Sequence, residues 1–202
     1  ASGTSLHAGL VGKYLLEKLA RIQTDVDFSS EFRYREPVLT PNTLVIAISQ
    51  SGETADTLAG VKMVKENGLE VLSIVNVKDS SIARESDYVL YINAGPEIGV
   101  ASTKAYTAQI LILLLLSLEV GLLKGHISEH DFQKIREELF KVPDFVSKFL
   151  AHSDYIKTIS EKFLNSKNVM FLGRGINYPT ALEGALKLKE ISYIHALSLI
   201  HI

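Results

Sequence analysis

Leu44-Val45-Ile46-Ala47-Ile48 runs without a polar break into Ser49-Gln50-Ser51-Gly52-Glu53-Thr54, and a helical stretch over residues 55–67 follows at once. An unbroken apolar, β-branched run reads as a strand buried on both faces, because a half-exposed strand would alternate polar and apolar residues. Further runs of this kind predict strands over 71–77, 88–93 and 168–172. Helices are predicted over 7–21, 55–67, 80–85, 103–123, 129–150, 153–164 and 178–194. Strands alternating with helices specify an α/β fold, a three-layer, doubly wound parallel sheet covered by helices on both sides.

Such sheets bind ligands beyond the carboxyl ends of their strands, so the loops there carry the chemistry. Four of them are rich in hydroxyls or glycine: Ala1-Ser2-Gly3-Thr4-Ser5, residues 49–54, residues 96–104, and Gly173-Arg174-Gly175-Ile176-Asn177. The 49–54 loop offers side-chain hydroxyls and backbone N–H groups, with a helix N-terminus behind it, and contains no lysine. That combination suits the phosphate of a small metabolite held by neutral donors. Taken singly, each loop also fits a simpler role, with Ser or Thr capping the next helix and Gly permitting a turn. Their recurrence at equivalent strand ends favours a binding site. No G-x-x-x-x-G-K-[ST] element occurs, and Gly173-Arg174-Gly175 lacks the third glycine and downstream acid of a dinucleotide fingerprint.

Composition narrows the classes. A net charge of −2 lacks the basic stripe of a nucleic-acid surface. With no cysteine there is no disulfide framework, no thiolate nucleophile and no cysteine-ligated zinc, which fits a reducing cytosol. The start of the chain does not resemble a signal or transit peptide. The apolar segment 110–116 is interrupted by Ser117 and Glu119, so it reads as a helix buried inside the protein and not as a membrane span.

A weak internal repeat emerges when the chain is slid by 172 positions. It pairs Gly3 with Gly175, Leu10 with Leu182, Gly12 with Gly184 and Leu16 with Leu188. Two copies of one α/β unit are therefore expected, over 1–125 and from 167, joined by a helical connector over 126–166. Glu183, Lys187 and Glu190 share one helical face by their i, i+4, i+7 spacing. They fit a solvated ion-pair stripe or an acid–base group for moving a proton between C1 and C2 of a sugar, and spacing alone leaves both open. His7 begins the first predicted helix near the Gly3-Thr4-Ser5 loop, a place from which it could face a ligand, and a cap or packing role is the one expected. His126, His130, His152, His195 and His201 form no metal-like arrangement, and no metal site is expected.

Residues 2–5, 30–35, 49–57, 93–105 and 181–196 match one family in order. Together they resemble the isomerase region of the glutamine–fructose-6-phosphate aminotransferase (isomerizing) family, the glucosamine-6-phosphate synthases, whose sugar-isomerase (SIS) domains are flavodoxin-like. The resemblance implies that Thr4, Ser5, Ser49, Gln50, Ser51 and Thr54 bind the sugar phosphate and that Val100 and Ser102 line the sugar. It implies that Glu190 is the base working through a cis-enediol, with Lys187 beside it. It further implies fructose 6-phosphate and glucosamine 6-phosphate as ligands, a glutaminase domain in the parent chain, no cofactor, a homodimer and a cytoplasmic location.

Against that family the chain reads as a fragment. It lacks the glutaminase domain, and its second subdomain is expected to stop after one strand and one helix, so the family's ring-opening histidine and ketose-binding lysine fall outside it. Residues 197–202 depart from the family pattern and read as a foreign tail, in which His201 does not stand for the missing histidine. Two other readings fit the same loops: a sugar-phosphate-binding regulatory module, and a deglycase or deaminase acting on amino-sugar phosphates.

Overall fold

The computed structural model describes residues 1–199; the expectations for His201 and the last residues of the tail lie outside them. Three parallel strands form the main sheet in the order β1 (Leu44–Ser49), β2 (Glu70–Val75), β3 (Tyr88–Tyr91). Leu44 stands opposite Glu70, and Leu72 opposite Tyr88. The apolar run of β2 is buried on both faces, as its composition requires, and that of β1 is buried toward its carboxyl end, whereas edge strand β3 is only half-buried. On one side Ala47, Val71 and Val75 pack against Val61 and Val64 of α3 (Ala55–Glu66) and Ile82 of α4 (Ser81–Glu85). On the other, Ile48 and Ile74 pack with Ile92, against Ala8 of α1 (Gly3–Leu15) and Ala105 and Leu113 of α5 (Lys104–Leu123). The result is the three-layer α/β arrangement.

Several boundaries differ from the sequence reading, each for a local reason. Helix α1 begins at Gly3 instead of residue 7, so Thr4 and Ser5 lie in its first turn; the helix ends in a π-helical turn, Leu16–Ala20, closed by Arg21 at a φ of 53°. A short helix, α2 (Ser29–Tyr34), fills a stretch read only as a motif; the Ser29 hydroxyl meets Thr57 of α3 at 2.8 Å, and Phe32 joins the core. The helix expected over 129–150 is two, α6 (Glu129–Leu139) and α7 (Val142–Leu150), because Pro143 fits a helix's first turn but not its interior. Helix α8 (Ser153–Glu161) follows.

The chain then forms β4 (Asn168–Leu172), α9 (Asn177–Ser192) and β5 (His195–Leu199). Strands β4 and β5 pair in parallel, Asn168 opposite His195 and Leu172 opposite Leu199. One expectation is corrected, since the second unit contains a second strand, and Leu197, Ser198 and Leu199 of the stretch read as foreign lie in it. Helix α9 covers one face of this small sheet, with Phe171 against Gly184, while Met170, Leu172 and Leu197 on the sheet remain exposed. Helices α7 and α8 bury no residue, and Phe145, Phe149, Tyr155 and Ile156 are exposed on them.

The internal repeat has a structural counterpart. Gly3 and Gly175 both take the left-handed conformation, at φ of 52° and 58°, where α1 and α9 begin. The two helices pack against each other. Helix α5 is longer than the apolar segment that announced it. At 20 residues and a mean hydropathy of 2.0 it passes the length and composition test for a membrane span. Polar side chains nevertheless lie buried along it: Gln109 donates from Nε2 to the Ser5 hydroxyl at 3.0 Å, and Ser117 donates to the Leu113 carbonyl at 2.7 Å.

The crossing of α5 and the end of α1 leaves no room for a side chain at Gly121. A Cβ there would stand 2.5 Å from the Leu19 carbonyl oxygen and 2.7 Å from Ile127 Cδ1. Gly121→Ala is therefore expected to destabilise the fold by about 1–3 kcal/mol through overpacking, seen as a lower urea midpoint; an unchanged midpoint contradicts this packing.

Candidate functional site

The 49–54 loop leaves β1 and enters α3 with its hydroxyls turned on itself. Ser49, 3 % exposed, accepts from the Gly52 N–H at 3.1 Å and meets the Thr54 hydroxyl at 3.0 Å. Ser51 accepts from the Glu53 N–H at 3.2 Å. The neighbouring strand end clasps the loop: Asn76 N–H donates to the Gln50 carbonyl, Ile82 N–H to the Gly52 carbonyl, and Ser81 N–H to the Glu53 carboxylate at 2.7 Å. The hydrogen bonds from Ser81 hold the Glu53 carboxyl below its usual range. Gly52 is required where it stands. Its φ is 67°, and a Cβ would fall 2.0 Å from the Ser80 hydroxyl, which is itself buried and unpartnered.

The capping alternative is not what these side chains do. Ser2, Thr54 and Thr103 occupy the N-cap positions of α1, α3 and α5, and none of their side chains bonds the helix backbone. Ser128, by contrast, caps α6 by accepting from the Asp131 N–H at 3.1 Å. The loop at the main sheet thus keeps donors in hand. A hydroxyl has one proton, and in Ser51 and Ser5 the oxygen only accepts, from Glu53 N–H and Gln109 Nε2 respectively, so each proton is available to an anion. Thr4 differs: it donates its proton to Glu183 Oε1 at 2.9 Å, leaving only its backbone N–H for a ligand.

A cleft of about 590 Å³ opens beyond the strand ends, lined by Gln50, Asn76, Asn93, Gly95 and Glu97 among others. Asn76 shapes it, donating to the Gly95 carbonyl at 2.7 Å and accepting from the Ala94 N–H at 2.9 Å. Glu97 fastens the next loop by accepting from the Thr103 N–H at 2.6 Å, the Thr103 hydroxyl and the Ser102 hydroxyl. Burial raises its carboxyl, but these hydrogen bonds prevail and its pKa lies below the usual range. Of the predicted ligands only Gln50 lines this cleft. Ser102 is held at the loop's base, and Val100 is 97 % exposed. The loop is tied to Asn76 at Ala94 and Gly95 and through Glu97 to Ser102 and Thr103, and Ile98 and Val100 between these ties are exposed.

Lys187 and Glu190 lie on α9 with their charges joined, Nζ to Oε2 at 2.5 Å. The ion pair is not a fully solvated stripe, since Glu183 of the same face is buried, at 5 % exposure. Its carboxylate meets His7 Nδ1 at 2.7 Å, accepts from Thr4, and stands 3.5 Å from Lys187 Nζ. Burial raises the Glu183 carboxyl, yet hydrogen bonds from His7 and Thr4 and the Lys187 charge outweigh it and leave the pKa below normal. An ionised acceptor makes His7 Nδ1 the donor. Sequence reasoning gave His7 a cap or packing role and did not single out Glu183 within its stripe; their contact joins residues 176 positions apart, and only the i, i+4 spacing to Lys187 hinted at it. Among the described residues no cluster of acids and histidines could hold a metal ion.

A carboxylate depressed on folding stabilises above its unfolded pKa and loses that contribution as pH falls through its folded pKa. Replacing the Glu183 charge by Glu183→Gln should cost about 1–3 kcal/mol at neutral pH. The gap between variant and wild type should close below the ordinary value of 4.5. Urea unfolding at several pH values checks this; a pH-independent gap contradicts it.

Comparison with known proteins agrees with this arrangement. The SIS domain profile matches residues 1–118 and 162–198, leaving out most of the connector helices. The chain is 54 % identical over 197 residues to the glutamine–fructose-6-phosphate aminotransferase [isomerizing] of Chlorobaculum tepidum, and 50 % identical over 196 residues to that of Clostridium tetani. In each case the match takes in 97 % of this chain and 32 % of the relative, so the chain spans about a third of these relatives' length. Its structure superposes with a TM-score of 0.95 on the C-terminal domain of glucosamine-fructose-6-phosphate aminotransferase from Francisella tularensis. That pair is 45 % identical, with 98 % of this chain and 56 % of the other covered. The profile takes in well over half of the chain, and the parallel three-layer fold accords with it: the chain belongs to the SIS domain family.

Proposed function

We propose that this region binds a hexose 6-phosphate and carries the ketose–aldose isomerisation of a glutamine–fructose-6-phosphate aminotransferase. The whole enzyme would turn fructose 6-phosphate and glutamine into glucosamine 6-phosphate and glutamate. The observation that carries the reading is a loop of uncharged donors at the strand ends together with a lysine–carboxylate pair on α9, a helix packed on the very helix whose first turn holds Thr4 and Ser5. Relatives at 50 and 54 % identity bear that activity in their names.

In this reading the phosphate takes hydrogen bonds from Ser51, Ser5, the Ser49–Thr54 pair, Gln50 and the backbone N–H of Thr4, with the α3 N-terminus behind. The loop carrying Val100 and Ser102 borders the sugar. Glu190, paired with Lys187, removes the C1 proton. The C1–H electrons form the C1–C2 double bond, the electrons of the C2 double bond move to its heteroatom, and that atom takes a proton from water, giving an enediol or its amino counterpart. Glu190 then returns its proton to C2 while the O1 proton passes to water as the C1 carbonyl forms, which completes the aldose. The uncovered apolar faces of α7, α8 and the β4–β5 sheet fit a longer chain or a second copy, in keeping with a homodimer fed ammonia by a glutaminase domain. The same reading gives a cytoplasmic enzyme that works without a cofactor.

The test exchanges this chain for the matching region of the Chlorobaculum tepidum relative. The hybrid should make glucosamine 6-phosphate from fructose 6-phosphate and glutamine; a folded hybrid that makes none overturns the reading. In it, Glu190→Gln should lower kcat by about 10²–10⁴-fold, the usual weight of a positioned base. Ser51→Ala should instead raise the KM for fructose 6-phosphate by about tenfold through one lost hydrogen bond, with kcat within a few-fold. A Ser51→Ala variant with unchanged KM removes the loop from the phosphate site.

A further inference from the structure

Helix α5 enters the core through Ala105 and Leu113, and Gln109 sits between them, one turn from each. It is 1 % exposed, as deeply buried as those apolar neighbours. Only half of its amide is used. Nε2 donates to the Ser5 hydroxyl of α1 at 3.0 Å, whereas Oε1 has no partner. Leucine or methionine would fill the same place without an orphaned carbonyl, so what the amide adds over them is the hydrogen bond to Ser5. The orientation of the amide has a physical reason. Turned over, it would set a carbonyl against Ser5 and leave an NH2 group without an acceptor, and a buried orphan N–H is rarer than a buried orphan C=O.

Other hydroxyls in the helices of this chain show what Ser5 would do without that partner. Ser117 of α5 donates to the Leu113 carbonyl at 2.7 Å, Ser192 of α9 to Leu188 at 2.6 Å, and Thr158 of α8 to Asp154 at 3.1 Å. Each turns its proton back to the carbonyl four residues earlier, a common course for helical serine and threonine, and keeps none for a ligand. For Ser5 that carbonyl belongs to Ala1, which already accepts from the Ser29 N–H at 2.8 Å. The Ser5 oxygen is drawn to α5 instead.

We propose that Gln109 is a positioning residue for phosphate recognition, whose N–H holds the Ser5 oxygen away from the α1 backbone and leaves the hydroxyl proton for the anion. The proposal rests on reading Ser5 as a phosphate donor. A hydroxyl that accepts one hydrogen bond is polarised to donate a stronger one, so the amide also strengthens Ser5 toward its ligand. Gln109 does this from the apolar face of α5, without adding a charge and without touching the phosphate.

The experiment uses the hybrid enzyme carrying Gln109→Met, which keeps the length of the side chain and removes its donor. Expected is a KM for fructose 6-phosphate raised about fivefold, with kcat within about threefold. The inhibition constant of inorganic phosphate should rise by the same factor. The melting temperature should hold or increase, since no orphaned carbonyl remains. Ser5→Ala should raise KM by about five- to tenfold, and the double variant should be no worse than Ser5→Ala alone, because Gln109 acts only through Ser5. A Gln109→Met enzyme with KM within about twofold, beside a Ser5→Ala enzyme that is impaired, overturns the proposal. So does a double variant in which the two losses multiply, which gives Gln109 an effect independent of Ser5. If the methionine variant does not fold, Gln109→Leu is judged by the same two criteria. Failure of the underlying reading looks different, for then Ser5→Ala itself leaves KM unchanged, which takes Ser5 out of the phosphate site and the proposal with it.

Discussion

Burial of β2 on both faces governs the rest of this structure. Val71, Val75 and Ile74 are fully buried, the first two toward α3 and α4, the third toward α1 and α5. A strand packed on both sides can meet water only at its ends, so polar chemistry is confined to the loops there. Those loops then brace one another: the 49–54 turn is hydrogen-bonded to Asn76, Ser81 and Ile82, and the next loop is fastened by Glu97. The rigidity of the candidate phosphate site is inherited from the sheet below it.

A second layer of organisation comes from the doubled unit. α1 and α9 each begin near a left-handed glycine and pack side by side, and the contact between them is polar at its heart. An ionised carboxylate buried among donors is a demanding element, since removing any donor leaves a buried charge short of partners. It also specifies one relative placement of the helices, which an apolar contact would leave freer to slide.

What the amino-acid sequence made legible divides along physical lines. β1 and β4 were readable to the residue, since continuous apolar runs bounded by polar loops are the strongest local signal available. The hydroxyl loops and the Glu183–Lys187–Glu190 spacing were readable too, along with the α/β class. The start of α1 was not, because Gly3, Thr4 and Ser5 have loop chemistry and become helical through packing on α5 and α9. β5 was missed because Leu197-Ser198-Leu199 becomes a strand only by pairing with β4, and nothing local distinguishes it from a tail. The roles of Glu183 and His7 were out of reach for the same reason: a contact across most of the chain leaves no local trace.

The uncharged character of the donors in the 49–54 loop has a consequence for the conditions under which such a site works. Attraction between a phosphate and lysine or arginine weakens as dissolved ions crowd around both, over a Debye length of about 8 Å at physiological salt. Hydroxyls and amide N–H groups clasped within a buried turn act at contact range, inside that distance, and carry no net charge to be screened. Recognition built this way depends on the shape and hydrogen-bonding capacity of the anion more than on its charge. A site of that kind keeps its selectivity when the ionic composition around it changes.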